Sequence, residues 1–252
     1  MINATDNQRT LSWFRARLGN ITGSRCGDLM KSGRRKEDTF GDTAKSYIMQ
    51  LAAERMLNPV VVDDDELFAE YVEFTSVSSK AMRFGTEQEE AARSLFSSMA
   101  GVTVIEPSSC RHDTLPHFAA SPDGIILDAQ QRPIACLEIK CPKIDTFVKY
   151  LDITDGPSLK DINPTYYWQT QAEMMCTDTS LCYFVVYSPF LTHPLHVALI
   201  ERDEEDVSAL SERITLADTL INQIANERQS PVPRVLSDLH QRAASTSLRL
   251  AE

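Results

Sequence analysis

The fold is decided by two stretches, Ser121-Pro122-Asp123-Gly124 and Glu138-Ile139-Lys140-Cys141-Pro142, of which the second closes an apolar run. Successive side chains of a strand point to opposite faces, so Glu138 and Lys140 are predicted to share one cleft while Ile139 faces the core. Asp123 reaches the same cleft if its own segment pairs with that strand. Carboxylates suit Mg2+, and a neighbouring lysine can orient or deprotonate a water. The pattern is typical of a metal-dependent phosphodiesterase core.

Each stretch also has a purely structural explanation. Ser-Pro-Asp-Gly is a good β-turn sequence, which by itself makes Asp123 a turn aspartate. Glu138 and Lys140 could lie on the exposed face of an edge strand. The apolar residues Ala135-Cys136-Leu137 and Ile139 indicate instead a buried strand, in which an unpaired charge is costly. The three polar residues together therefore favour a functional site.

Two predicted helices offer further site residues. Glu89 lies in Gly85-Thr86-Glu87-Gln88-Glu89, from which it could reach the cleft, although helical glutamates are common. Tyr166, Gln169 and Glu173 share one face of a later helix, at positions i, i+3 and i+7. A glutamine at that place can hold a water or a phosphate oxygen without adding charge. The alternative for this segment is a half-buried amphipathic helix.

The segment 13–24 suggests a phosphate pocket. Arg17 carries a planar guanidinium that can bind phosphate with two hydrogen bonds, and Ser24 places a hydroxyl near a predicted helix N-terminus. The alternatives are a helix cap for Ser24 and a surface position for Arg17, and the segment alone favours them.

The apolar periodicity predicts one α/β domain over residues 1–229, a sandwich around a central mixed sheet, followed by a loose polar tail at 230–252. The segment Asp128-Ala129-Gln130-Gln131-Arg132 predicts a hairpin turn between strands at 118–127 and 134–140. Residues 158–163 are expected to form a loop. Two helices are predicted within 11–29, the second capped near Thr22 or Ser24, with further helices at 42–56, 79–99, 164–176 and 207–224 and strands at 102–105, 181–187 and 195–200.

The composition narrows the class of protein. The chain has 252 residues, of which 42% are hydrophobic and 24% charged, so it can bury a sizeable core. Its net charge of −11 argues against non-specific coating of nucleic acid, but allows DNA binding in a locally basic cleft. Six cysteines without a CxxC pair predict reduced, mostly buried thiols in a cytoplasm. Neither a membrane-spanning run nor a signal peptide is recognisable, so no membrane partner is expected.

Taken in order, the motifs resemble the phage λ exonuclease and YqaJ-type viral recombinase family, within the PD-(D/E)xK nuclease superfamily. The resemblance runs from about residue 13 to residue 214, nearly all of the predicted domain. An ordered set of motifs is far more specific than Glu-x-Lys alone. The motifs are Trp13-x3-Arg17-Leu18-Gly19-x-Ile21-Thr22-x-Ser24, Gly85-x3-Glu89, Ser121-Pro122-Asp123-Gly124, Glu138-x-Lys140-Cys141-Pro142, Gln169-x-Gln171 and the segment 197–203.

The resemblance implies a restriction-endonuclease-like core and a processive 5′→3′ exonuclease that digests the 5′-phosphorylated strand of duplex DNA and leaves 3′ overhangs for recombination. It implies Mg2+ as cofactor, as two ions for which Mn2+ can substitute. Lys140 would activate the attacking water, and Gln169 would help to place it. The resemblance implies that the catalytic residues are Asp123, Glu138, Lys140, Gln169 and Glu89. It implies that the metal is bound by Asp123, Glu138 and the Ile139 carbonyl, and by Glu89 directly or through water. It also implies that Arg17 and Ser24 bind the 5′-phosphate.

The resemblance also implies an assembly and partners. The family forms a ring-shaped homotrimer around DNA, so an acidic outer surface can coexist with a basic channel. Arg34, Arg35 and Lys36 are expected to contact duplex phosphates, Met82 to help part the strands, and Tyr166 to contact DNA. A single-strand annealing recombinase is the expected protein partner. The resemblance further implies that the protein comes from a phage or prophage and is located in the cytoplasm of a bacterial host.

The sequence departs from the family pattern at 130–133, which lengthens the turn between the metal-site strands, and at 158–163. The rival enzyme is a restriction-type endonuclease on the same core, which would cut covalently closed circular DNA. A catalytically decayed DNA-end-binding protein, or a structural oligomer unrelated to DNA, are the alternatives from other classes. The intact Asp123, Glu138 and Lys140 count against a decayed site.

Overall fold

The structure, a computed structural model, describes residues 8–33, 38–76 and 80–228, without the side chains of Ala81 and Met82. Three predictions fall outside this part of the chain: the DNA contacts of Arg34, Arg35 and Lys36, the strand-parting role of the Met82 side chain, and the loose tail at 230–252. None of the described helices is long and apolar enough to cross a lipid bilayer.

Helices and short strands alternate along the described chain. The helices are α1 Leu11–Arg17, α2 Cys26–Met30, α3 Asp42–Arg55, α4 Pro59–Asp63, α5 Asp65–Thr75, α6 Lys80–Ala100, α7 Ile144–Tyr150, α8 Gly156–Ile162, α9 Pro164–Thr177 and α10 Glu204–Arg228. The strands are β1 Ile21–Thr22, β2 Thr103–Ile105, β3 Cys110–Arg111, β4 Phe118–Ala120, β5 Gly124–Leu127, β6 Pro133–Lys140, β7 Leu181–Tyr187 and β8 Leu195–Glu201.

The central sheet has the strand order β2-β5-β6-β7-β8. The strands β6 and β7 are parallel, and the other neighbouring pairs are antiparallel. This mixed sheet, flanked by helices, confirms the predicted fold class. In the hairpin of β5 and β6, Gly124 lies opposite Leu137. Asp123 therefore stands at the end of β5 that is next to Glu138, as the sequence predicted.

Alternating side chains of β6 face two separate cores. Leu137 and Ile139 pack in one core with Ala92 and Phe96 of α6. Cys136 packs in the other, with residues of α3, α9 and α10. Because Glu138 and Lys140 have the parity of Cys136, their side chains point towards α9. The strand thus presents its polar residues to the helix that carries Gln169.

The prediction of one strand over 118–127 is wrong, because the chain leaves one sheet and enters another. Strand β4 ends at Ala120 and belongs to a small second sheet of order β1-β4-β3, whereas β5 begins at Gly124. Between them Pro122 has no N–H to donate to a ladder. The carbonyls of Pro122 and Asp123 accept instead from Gln8 Nε2 at 3.0 Å and Arg93 Nε at 2.7 Å. The interruption places Asp123 at the edge of the sheet.

Two local predictions also need correction. Residues 158–163 are mostly helix α8, which Asp155 begins with a capping box to Ser158, helped by proline in the first turn. The predicted caps near Thr22 or Ser24 do not begin α2, since a 3-10 turn at Gly23–Arg25 precedes it. The side chain of Thr22 lies 3.3 Å from the Tyr47 hydroxyl and makes no cap bond.

The prediction that the cysteines are mostly buried thiols agrees with the structure. All six cysteines are free thiols, and four of them, Cys26, Cys110, Cys136 and Cys182, are buried. Cys136 and Cys182 are direct neighbours in the register of β6 and β7, beneath α9. Thiols therefore form part of the packing under the predicted site.

Gly27 lets α2 approach α9 closely, and we expect Gly27→Ala to lower the free energy of unfolding by about 1–3 kcal/mol. A Cβ at this position would lie 2.7 Å from Thr165 Cα, so the helices would have to separate. Gly85, inside α6, has no heavy atom within 4 Å of its added Cβ. Gly85→Ala should raise stability by about 0.5–1 kcal/mol. Urea unfolding of both variants tests the pair, and a Gly27→Ala protein as stable as the wild type would contradict the close approach.

Candidate active site

The predicted pairing of Glu138 and Lys140 on one face of β6 is confirmed. The Lys140 ammonium forms an ion pair with Glu138 Oε1, and the Glu138 residue is 1% exposed. Lys140 Nζ also lies 4.5 Å from the centre of the Tyr166 ring, within range of a cation–π contact. Burial by itself lowers the pKa of Lys140, but Glu138 and Asp123 outweigh it and raise that pKa above its usual value. The lysine is held protonated by the two carboxylates.

Asp123 is fixed against the end of β6. Its Oδ2 accepts a hydrogen bond from the Ile139 N–H at 2.7 Å, and Arg93 holds its carbonyl from the side of α6. Burial, and then the nearby carboxylates of Glu138 and Glu89, raise the pKa of Asp123 well above its usual value. Two negative charges are therefore forced together at this edge of the sheet. The Ile139 carbonyl as a metal ligand stays a prediction.

Gln169 forms hydrogen bonds with both members of the Glu138–Lys140 ion pair. Its Nε2 donates to Glu138 Oε1 at 2.6 Å and to Glu173 Oε1 at 3.0 Å, while its Oε1 accepts from Lys140 Nζ at 3.4 Å. Asn163 caps α9, and Pro164 stands in its first turn, so the helix begins where the sequence predicted. Tyr166, Gln169 and Glu173 do share the face of α9 that meets β6.

Glu89 lies near the carboxylates of Asp123 and Glu138, but its own hydrogen bonds come from Arg9. Both of its oxygens accept from Arg9 Nη2, at 3.1 and 2.9 Å. Burial raises the pKa of Glu89, Arg9 opposes that effect, and the charge of Glu138 adds to it. The carboxylate oxygens of Glu89, Asp123 and Glu138 are not all within 4.8 Å of one another; in the described chain that criterion is met by Cys136, Glu173 and Cys182. The role of Glu89 as a metal ligand, directly or through water, stays a prediction.

The residues at the end of β6 fit a hard divalent cation. Glu138 Oε2 is buried and has no hydrogen-bond partner. An unpaired carboxylate oxygen in such a place is costly, and a cation would satisfy it while relieving the repulsion with Asp123. Both groups offer oxygen, which Mg2+ and Mn2+ prefer. The neighbouring Cys136, Cys182 and Glu173 group presents thiols, which suit softer metals instead.

Arg17 and Ser24 line the same pocket, which has a volume of about 280 Å³. Arg25 adds a second guanidinium to the wall, whereas Glu54 is the acidic residue among the lining side chains. Both oxygens of Glu54 already accept hydrogen bonds, from the Gly19 N–H at 2.8 Å and from Gln50 at 2.9 Å. Burial lowers the pKa of Arg17 to about 10, so it keeps its charge at neutral pH. The pocket can therefore hold an anion.

Hydrogen bonds to Ser121 join this pocket to the turn that bears Asp123. Arg17 Nη1 donates to Ser121 Oγ at 3.0 Å, and Trp13 Nε1 donates to the same oxygen at 3.3 Å. The Arg17 guanidinium also stacks over the Trp13 ring, 4.2 Å from its centre. Ser121 is two residues before Asp123, so the pocket and the carboxylates are held by the same short segment.

Four residues to which sequence reasoning gave no role of their own have contacts in the site. Arg9 pairs with Glu89, Arg93 holds the Asp123 carbonyl, Ser121 accepts from Arg17, and Glu173 accepts from Gln169. For two of them a helical signal was present, since Arg93 and Glu173 follow Glu89 and Gln169 by one turn. Arg9 and Ser121 carried no such signal.

The whole fold is similar to that of known exonucleases. The alkaline exonuclease LHK-Exo from Laribacter hongkongensis matches with a TM-score of 0.65 and 26% sequence identity, over 94% of this chain and 100% of that one. The structure of LHK-Exo in complex with dAMP gives the same values. A phage-related exonuclease from Haemophilus somnus 129PT, at 17% identity, shares the fold with a TM-score of 0.59, over 82% of this chain and 96% of that one. No curated protein matches the chain.

A family model matches the part of the chain that holds these elements. It covers residues 12–180, from helix α1 through the end of α9, and so includes the pocket lined by Arg17 and Ser24, the carboxylates and Gln169. The matched stretch is more than half of the 252 residues. The chain therefore belongs to the family of the YqaJ-like viral recombinase domain.

Proposed function

We propose that this protein is a divalent-metal-dependent exonuclease that degrades the 5′-phosphorylated strand of duplex DNA in the 5′→3′ direction. The observation that carries the proposal is the hydrogen bond from Arg17 to Ser121. It connects a cationic pocket to the turn that bears Asp123. A terminal phosphate held by Arg17 and Ser24 would bring the adjoining phosphodiester towards Asp123, Glu138 and Lys140. The similarity to LHK-Exo, an alkaline exonuclease, supports the same reaction class.

The side chains divide the work according to their contacts. Mg2+ bound by Asp123 and Glu138, as two ions or replaced by Mn2+, would supply positive charge for the phosphate and leaving oxygens. Once these carboxylates are neutralised, Lys140 loses the interactions that raise its pKa. Its Nζ can then release its proton to solvent and accept one from the attacking water. The Gln169 amide, which already touches Lys140 and Glu138, can orient that water.

Three further features of the proposal rest on family resemblance. They are processive digestion within a homotrimeric ring, cooperation with a single-strand annealing recombinase, and DNA contacts by Tyr166, Arg34, Arg35 and Lys36. Tyr166 lies over Lys140 in the structure, so it is adjacent to the site. The cytoplasm of a bacterial host is the proposed location, where phage-type recombination would use the 3′ overhangs.

A duplex with one 5′-phosphorylated end and one 5′-hydroxyl end tests the function, with each strand separately labelled. In Mg2+ we expect only the strand with the 5′-phosphate to be lost, and in EDTA neither. Arg17→Ala should reduce the preference for the phosphorylated end about 10- to 100-fold, because hydrogen bonds to charged groups contribute roughly 1.5–3 kcal/mol. Arg15→Ala is the matched control, since Arg15 is on the same helix and donates to Val62 and Asp65.

The same assay, extended to covalently closed circular DNA and to Glu138→Ala, separates the alternatives. Internal cutting of both strands, or of a covalently closed circle, would mean an endonuclease. Duplex binding without cleavage, unaffected by Glu138→Ala, would mean a decayed site. Equal digestion of both ends by the wild type would remove the role of the Arg17 pocket, even if the strand polarity held.

A further inference from the structure

Glu173 is a buried carboxyl beside the site that the mechanism above does not use. It is 1% exposed and lies one turn after Gln169 on α9. Within the described part of the chain, no lysine, arginine or histidine forms an ion pair with it. Its Oε1 accepts from the Gln169 amide at 3.0 Å, and its Oε2 lies 4.0 Å from the Cys182 thiol.

Packing does not explain a carboxyl at this position. An acidic side chain that is buried without a cation costs free energy, whereas a leucine of similar size would fill the same space at less cost. Burial, together with the close charged neighbour Glu138, raises the pKa of Glu173. The other neighbours, Cys136 and Cys182, are weakly polar thiols. Two contacts of Glu173 need a hydrogen-bond acceptor, those from the Gln169 amide at 3.0 Å and from the Cys182 thiol at 4.0 Å, and the one from Gln169 is the shorter.

The Gln169 amide makes all three of its hydrogen bonds in a single orientation. One N–H reaches Glu138 at 2.6 Å, the other reaches Glu173 at 3.0 Å, and the carbonyl oxygen faces Lys140 at 3.4 Å. If the amide turned over, its NH2 group would face the Lys140 ammonium and its oxygen would face Glu138, with repulsion on both sides. Without Glu173, however, the NH2 group keeps a single acceptor, and the amide can rotate away from Lys140.

We propose that Glu173 is a positioning residue, which holds the Gln169 amide with its carbonyl towards Lys140 and its NH2 group towards Glu138. The catalytic part of this inference rests on the proposed nuclease function, and the geometric part does not. A glutamine at 173 keeps an acceptor oxygen for Gln169 and can turn its own NH2 group towards the Cys182 sulfur. A leucine keeps the volume and removes the acceptor.

The kinetic test compares these two variants on 5′-phosphorylated duplex in Mg2+. Glu173→Leu is expected to lower kcat about 10- to 100-fold, as for other groups that support a metal ligand through a neighbour, with KM for DNA ends unchanged. Glu173→Gln should restore most of the rate. In a Gln169→Ala background, Glu173→Leu should cause no further loss, because the residue acts through Gln169.

Gln171→Leu is the matched control, because it removes another buried, hydrogen-bonded polar side chain from the same helix. Gln171 is 0% exposed and bonds to the Glu201 carbonyl and the Asp203 N–H, both at 3.0 Å. The variant should lower thermal stability as Glu173→Leu does, or more, but leave kcat unchanged. A Gln171→Leu protein with the same loss of kcat would show that the effect belongs to helix packing, and would overturn the positioning role.

A second readout is independent of activity. In protein labelled with 15N-glutamine, the side-chain NH2 signals of Gln169 are those absent from Gln169→Ala. We expect them to shift in Glu173→Leu, and to stay in place in Glu173→Gln and Gln171→Leu. If the wild type degrades no DNA but this pattern holds, the proposed function fails and the positioning inference stands. Unshifted signals in Glu173→Leu, or a Glu173→Gln variant as impaired as Glu173→Leu, would overturn it.

Discussion

Lys140→Met is expected to reduce the rate of DNA cleavage roughly 10²- to 10⁴-fold, the usual contribution of a positioned acid or base. Methionine keeps the length of the side chain and its packing against Tyr166, but cannot take a proton or pair with Glu138. Single-turnover digestion of 5′-phosphorylated duplex in Mg2+ measures the loss. Duplex binding, measured in Ca2+ or EDTA, should remain, because the Arg17 pocket does not include Lys140.

Lys160→Met is a close control for this variant. Lys160 also pairs with a carboxylate, Asp206 at 2.5 Å, and also lies over an aromatic ring, that of Tyr167 at 5.0 Å. It is on α8, and no contact links it to Asp123 or Glu138 in the described structure. Both variants should lose some thermal stability, whereas only Lys140→Met should lose the chemical step. Cleavage by Lys140→Met at the wild-type rate would show that another group activates the water.

The parts of the site with strong local signals could be predicted from the sequence. The alternation of β6 placed Glu138 and Lys140 on one face and Ile139 on the other, because the period of a strand is fixed. The Asp128 turn joined β5 to β6, and so brought Asp123 to Glu138. Pro164 marked the start of α9 and hence the face that carries Gln169. Each of these inferences needed only residues that are close in the chain.

The remaining parts depend on contacts between distant segments. Arg9 reaches Glu89 across 80 positions, and Arg17 reaches Ser121 across 104. Nothing in either local sequence specifies the partner. The division of 118–127 between two sheets has the same origin, since β4 pairs with β1, a strand of two residues far back in the chain. The missed helix α8 was different: Asp155 and Pro157 are local signals of a helix start, and were overlooked.

Asp123→Asn should reduce cleavage roughly a thousandfold and yet make the protein more stable in EDTA. The loss follows because a bound metal ion stabilises transition-state charge by several kcal/mol, and Asp123 is a proposed ligand of that ion. The gain follows because burial and the charges of Glu138 and Glu89 disfavour the Asp123 carboxylate. An asparagine oxygen can still accept the Ile139 N–H, which lies 2.7 Å from Asp123 Oδ2. Thermal unfolding in EDTA and in Mg2+ separates the two effects.

The direction in which the stability in EDTA changes with pH tests whether the Asp123 carboxylate is what destabilises the fold. The folded-state pKa of Asp123 is raised above its unfolded value of about 3.9, so the folded protein binds more protons between these two values. Its stability in EDTA should therefore fall as pH rises from about 4 through the folded pKa. Asp123→Asn removes this fall, so its advantage should be absent below about pH 4 and grow above it.

Asp128→Asn is a control of opposite sign. Hydrogen bonds from the Arg132 N–H and its neighbours lower the pKa of Asp128, so its charged form favours the folded state. That variant should lose stability above about pH 4, where the wild-type carboxylate is ionised. Mg2+ should raise the Tm of the wild type and of Asp128→Asn, but not that of Asp123→Asn, because only the last lacks a ligand. An Asp123→Asn protein that is less stable than the wild type in EDTA, or equally stabilised by Mg2+, would remove Asp123 from the metal site.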